Sequence, residues 1–352
     1  MKNPAVVFLS CLILLSFPGI GESKDQDFFD FDPDIRLFTT YAFMNAAGYD
    51  HDWNASMHPI RVEVRAWLDS VLSNEYKNKI HEIFTTWGGG DFYSYGVYAL
   101  YLKNASDSDM ICYPCNFPEY EKLNGYNCIL KEFYAKAGIE TLWNQCRDRM
   151  VSLNLEYKPF ADSAIHHITS YCRVDPNFYQ KKVSGRFHFQ LIPLMSYFTA
   201  FFYETAQDYW IVSGPSTGQP GPGGFYHESL HRIVNPIVER NQKLNKRIDD
   251  LVALSQEKLQ GSYYGSYALI CESLVRTIDK ILSARYSQSD DQELYRMVED
   301  EYKLGHILCF YFFENLPAYE KSGKSLKDYY PKLIAGIDIE AEKDRWTRFW
   351  KK

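Results

Sequence analysis

Two histidines four residues apart, His227 and His231, with Glu228 beside the first, constrain this chain more than any other stretch of it. On a helix that spacing sets both imidazoles on one face, about one turn apart. Two imidazoles so placed can fill two corners of a tetrahedral zinc site, and Glu228 stands near enough to hold a water there without being a ligand. Zinc lowers the pKa of such a water to about 7, where a neighbouring carboxylate can take its proton. The pattern predicts a helix whose buried side is Leu230, Ile233, Val234 and Ile237. The alternative is a pair of histidines packed or exposed without a metal.

A zinc site of this type needs a third protein ligand and an open fourth position. No histidine follows closely: the residues after His231 are Arg-Ile-Val-Asn-Pro-Ile, and His306 is the only later one. A carboxylate from a later helix is therefore expected. Glu239 would lie about 12 Å further along the same helix, too far without a sharp kink at Pro236. Glu257 ends a polar stretch and stays open. Glu272 is better placed, alone in the apolar run Ala268–Val275, where a carboxylate without a cation is costly. Its competing role is an ion pair with Arg276 four residues on, and Arg276 could equally orient it as a ligand. Donors for a tetrahedral oxyanion are sought among Tyr263, Tyr264, Tyr267, His188 and Tyr226, although 28 tyrosines make packing the commoner role for any one of them.

The chain begins with Lys2, an apolar run from Ala5 to Phe17, and then Pro18, Gly19 and Gly21, the pattern of a secretory signal peptide over residues 1–21. That run is shorter than the ~20 residues needed to span a bilayer, and no later segment is long and uncharged enough. The expectation is a secreted or periplasmic protein with no membrane span in its mature form. Without Lys2 there remain 37 basic residues (38 − 1) against 45 acidic ones, a net charge of −8, which disfavours nucleic-acid binding. Cys112, Cys115, Cys128, Cys146, Cys172, Cys271 and Cys309 follow the leader, an odd number. In an oxidising compartment several should form disulfides, the cluster from Cys112 to Cys146 above all. A zinc site on Cys112 and Cys115 is less consistent with the irregular spacings around them. Asn54 and Asn104 open glycosylation sequons that matter only in a eukaryote.

Periodicity predicts helices around Asp34–Phe38, Val62–Val71, Leu130–Leu155 and Phe160–Tyr171. Phe92–Leu102 reads as a strand or a buried helix. Phe187–Gln207 reads as a buried helix starting near Pro193, and Tyr209–Val212 as a short strand. The Gly/Pro-rich stretch Gly214–Gly224 is irregular, a rim over the site or a plain connector. Helices are expected again over Pro236–Gln260, Tyr267–Tyr286, Glu293–Asn315 and Tyr329–Trp350. The sum is an α+β fold, mostly helical, with a small sheet, divided into an N-terminal helical region with a cysteine-rich insert (22–180) and a catalytic region (181–352).

The run Phe225-Tyr-His-Glu-Ser-Leu-His-Arg-Ile-Val-Asn-Pro-Ile237 resembles the His-Glu-x-x-His-x-x-x-Asn-Pro signature of a family of exported, mostly bacterial proteins, described only as a domain of unknown function with a metallopeptidase-type motif. Weaker similarity extends upstream through Tyr209-Trp210, downstream to Glu272-Ser-Leu-Val-Arg276, and to Asp34–Phe38 and Gly48–Asp50. The resemblance implies a zincin-like architecture and a gluzincin-like site: His227 and His231 as metal ligands, Glu228 as catalytic base, Glu272 as third ligand. The cysteine-rich insert has no counterpart in it. The expected function is an exported zinc metallopeptidase acting on a peptide or protein substrate. Its rivals are a catalytically inactive exported binding protein and a disulfide-rich carbohydrate-binding or structural module.

Overall fold

A four-stranded sheet divides the hydrophobic interior in two. The structure, a computed structural model, describes residues 29–49, 57–87, 92–103, 123, 125–175, 186–197, 199–205, 208–215, 223–259 and 265–351. The expected signal peptide, Cys112 and Cys115, both sequons, Tyr263, Tyr264 and most of the Gly214–Gly224 loop lie outside these residues.

After β1 (Phe29–Asp30) come helices α1 (Ile35–Ala46), α2 (Pro59–Val71), α3 (Asn74–Thr86) and α4 (Phe92–Leu100). Their starts are written locally. Asp34 caps α1 by accepting from the Arg36 and Leu37 amides, Pro59 opens α2 behind a His58 cap, and Ser73 caps α3. The segment around Phe92 is thus the buried helix of its two expected forms. The helix expected over Leu130–Leu155 is two, α5 (Tyr126–Lys136) and α6 (Ile139–Glu156), parted by Gly138 at φ 60°. Helix α7 (Lys158–Cys172) follows directly.

Strands β2 (Phe187–Leu191) and β3 (Ala200–Glu204) replace the helix expected over Phe187–Gln207, and β4 (Tyr209–Ser213) is the strand expected from Tyr209. Strand β2 lies parallel to β1 and β4, and β3 runs antiparallel to β4. Along β4, Tyr209 and Ile211 join the C-terminal core while Trp210 and Val212 join the N-terminal one. Both faces being covered, successive positions are apolar and the alternation that marks a one-sided strand is lost. Buried amides tie the sheet to its surroundings. Gln190 bonds the Asp34 amide (2.8 Å) and the Asp32 carbonyl (2.6 Å), and Asn154 of α6 bonds the Leu191 amide and the Phe31 carbonyl.

The C-terminal layer comprises α8 (Gly223–Arg240), α9 (Gln242–Asn245), a 3-10 turn, α10 (Asp249–Leu259), α11 (Gly265–Ser287), α12 (Asp291–Lys303), α13 (Cys309–Lys321), α14 (Leu326–Ala335) and α15 (Ile339–Trp350). Pro236 lies inside α8 rather than opening a helix, and Asn241 and Asn245 bond the Ile237 and Val238 carbonyls left at that helix's end. The single helix expected over Glu293–Asn315 breaks at Gly305, φ 112°. Helix α8 packs along α11 and is flanked by α7. Among the described residues no helix is long and apolar enough to cross a membrane.

Among the described residues no disulfide forms: Cys128 is exposed, and Cys146, Cys172, Cys271 and Cys309 are buried without a bridge. Burial pushes the Cys172, Cys271 and Cys309 thiols up to about 12, so these three serve as small apolar side chains in the helical core.

Candidate metal centre

The predicted helix is α8, and it turns His227 and His231 toward α11 with their Nε2 atoms 3.2 Å apart. At that distance two lone pairs repel unless a proton or a cation sits between them. Glu272 arrives from α11, its Oε1 3.3 Å from His231 Nε2 and its Oε2 3.7 Å from His227 Nε2. Asn235, one turn beyond His231, meets that ring's Nδ1 at 3.0 Å through its side-chain oxygen. With Nδ1–H donating there, the Nε2 lone pair is left facing Glu272.

Glu228 belongs to the same constellation. An oxygen of its buried carboxylate and one nitrogen of each imidazole all lie within 4.8 Å of one another. Two carboxylates therefore flank the histidines, and their settings differ. Glu272 is anchored by Arg276 Nε on Oε2 at 3.1 Å, whereas among the described residues the Glu228 carboxylate makes no hydrogen bond. Burial, and then the charge of Glu272, pushes Glu228 up to about 8. Burial, followed by His231 and the Arg276 cation, holds His227 well below the ordinary imidazole range; burial also lowers His231 against the opposing pull of Glu272. Neutral imidazoles are the form that binds metal.

Phe202 of β3 stacks on the His231 ring, centroids 5.2 Å apart, and the Tyr209 hydroxyl of β4 donates to the Glu228 carbonyl at 2.9 Å. The sheet thereby fixes the height and rotation of α8.

The remaining sequence candidates are not drawn together here. Tyr226 turns toward α7, its hydroxyl 2.6 Å from His167 Nδ1. His188 stacks on Trp210 between Asp30 and Asp208, and Trp210 belongs to the core on the opposite sheet face. Tyr267 is exposed and pairs with Cys271, and Glu239 and Glu257 are exposed on α8 and α10. Sequence reasoning missed Glu301, which pairs with Arg276, and Lys280 and Asp279, which continue the row from Glu301. The i, i+4, i+8 series Glu272, Arg276, Lys280 was the available signal for part of that group, whereas nothing local marks Glu301.

His227, Glu228, His231, Asn235, Glu272 and Arg276 all fall inside one recognised segment. Residues 224–336 match the family model described as Domain of unknown function (DUF4932). The match spans 113 of the 352 residues (336 − 224 + 1), from the first turn of α8 to the end of α14. No curated protein and no solved structure matches the chain.

Proposed function

We propose that the chain is a zinc-dependent hydrolase, a peptidase with a gluzincin-like site on a zincin-like arrangement of sheet and helix, working outside the cytosol. One observation carries the reading: His227 Nε2 and His231 Nε2 lie 3.2 Å apart, and the Glu272 carboxylate faces both, Oε1 at 3.3 Å from His231 and Oε2 at 3.7 Å from His227. Donors ~2.0–2.1 Å from a tetrahedral zinc stand about 3.3–3.4 Å from one another.

When bound, zinc supplies Lewis acidity and brings a water's pKa to about 7. Glu228, whose buried carboxylate makes no hydrogen bond among the described residues, would take the water's proton and return it to the leaving nitrogen. Arg276 and Asn235 orient Glu272 and His231. Strand β3, bonded to β4 and touching His231 through Phe202, is the last strand of the sheet among the described residues, and an extended peptide could lie beside it as an added strand.

Elemental analysis and peptide-library cleavage test this together. One zinc per wild-type chain, lost in His227→Ala and Glu272→Ala, is expected; Glu228→Gln should keep the metal while cleavage falls by about 10²–10⁴-fold. A metal-free wild type overturns the reading. Bound zinc without cleavage of any library would instead indicate an exported binding protein.

A further inference from the structure

Helix α11 carries Glu272, Arg276 and Lys280 at successive turns, a spacing that stacks all three on one face. Glu301 reaches them from α12. Its Oε2 accepts from Arg276 Nη1 at 2.9 Å, and its Oε1 lies 2.9 Å from Lys280 Nζ. Arg276 Nε meanwhile donates to Glu272 Oε2 at 3.1 Å. Lys280 also meets Asp279 at 3.2 Å, and the other Asp279 oxygen accepts from Ser283. The charges alternate from Glu272 through Arg276, Glu301 and Lys280 to Asp279, starting at the carboxylate that faces both imidazoles. Glu301 and Asp279 are buried.

Stability is a poor reason for such a row. Desolvating buried ions offsets much of their attraction, and apolar replacements often do as well or better. Geometry suggests another use. Arg276 shares a helix with Glu272 and, left alone, its long side chain could swing toward solvent. Glu301, from a second helix, holds one nitrogen of the guanidinium and so fixes the plane of the fork, which aims Nε at Glu272 Oε2. With that oxygen held, Oε1 is the one left closest to His231. Lys280 occupies the second oxygen of Glu301 and gives Glu301 itself a single orientation.

We infer that Glu301 is a positioning residue for the metal centre, setting the orientation of Glu272 through Arg276 and thereby the affinity of the site for a divalent cation. This rests on His227, His231 and Glu272 being the ligands.

The test uses the purified full chain. Zinc affinity is measured by competition with a chelator, and cobalt(II) is loaded so that its visible d–d bands report ligand geometry. Glu301→Gln should weaken zinc binding by about 10- to 100-fold and shift the cobalt bands, with the wild-type circular dichroism spectrum retained. Arg276→Lys keeps the charge without the fork and should do the same. Should Glu301→Gln fail to fold, the triple variant E301Q/K280M/D279N removes both anions together with the cation they share and leaves Arg276 its Glu272 partner. A folded variant of either kind with wild-type zinc affinity and an unchanged cobalt spectrum overturns the role of Glu301. His227→Ala separates the two possible failures: zinc held by wild type and lost in this variant preserves the centre even if Glu301 proves idle, whereas a wild type that takes up no zinc sinks both.

Discussion

His231 and Asn235, one turn apart on α8, are joined through Nδ1 and Oδ1 at 3.0 Å. The bond selects which ring nitrogen is free to face Glu272, so a residue outside the proposed ligand set decides the tautomer of one inside it. Asn235→Ala should therefore weaken zinc binding by about 10- to 100-fold while leaving the fold intact. Chelator competition measures this, and an unaltered affinity would show that the ring keeps its orientation by packing against Phe202 alone.

Metal occupancy should be visible as stability. Zinc at a hundred times its Kd adds about 2.7 kcal/mol to a protein that binds it only when folded. For a chain of this size that is a rise in Tm of about 4 °C. Differential scanning fluorimetry with added zinc, and again after a strong chelator, checks it. His231→Ala should abolish the difference between the two conditions.

His306 predicts the acid limit. Burial, followed by the Arg276 cation, pushes its imidazole down to about 3, from an ordinary value of 6.5. The unfolded chain thus takes up a proton near pH 6.5 that the native state refuses until about pH 3. The stability is complete above about pH 6.5 and declines by up to about 1.4 kcal/mol per pH unit below it, reaching about 2.7 kcal/mol by about pH 4.5. His227 and His231, also lowered, act in the same direction. Denaturant melts of wild type and His306→Gln across this range should converge toward low pH, and parallel curves would remove His306 from the account.

Gly305 ends α12 at φ 112°, and a Cβ built there would come within 2.6 Å of Leu259 Cγ. Both the backbone and the space exclude a side chain. Gly305→Ala should cost about 1–3 kcal/mol, seen as a lower urea midpoint at constant m-value. A midpoint within error of wild type would mean that α10 moves aside freely.

Elements whose signals are local were readable before the structure. The His58-Pro59 helix start, the strand at Tyr209 and the helix through Glu272 depend on capping chemistry and on the period of apolar residues within a few turns. Gly138 and Gly305 were harder, because a glycine reveals a break only once its positive φ is seen. The segment after Phe187 misled for a different reason: two cores meet at the sheet, and strands covered on both faces lose the alternation by which they would be recognised.

In the centre itself, the chain alone determined that His227 and His231 share a face and that Glu272 is an unusual acid in an apolar helix, because helical geometry repeats every few residues whatever surrounds it. Only the folded arrangement decided that α11 lies against α8 at a distance bringing Glu272 to face both rings, that Glu301 grips Arg276 from α12, and that β3 passes beside His231. Those relations join residues from 25 (301 − 276) to 45 (272 − 227) positions apart, and no local rule of backbone or side chain specifies them. They follow from which apolar faces bury one another, a property of the whole chain at once.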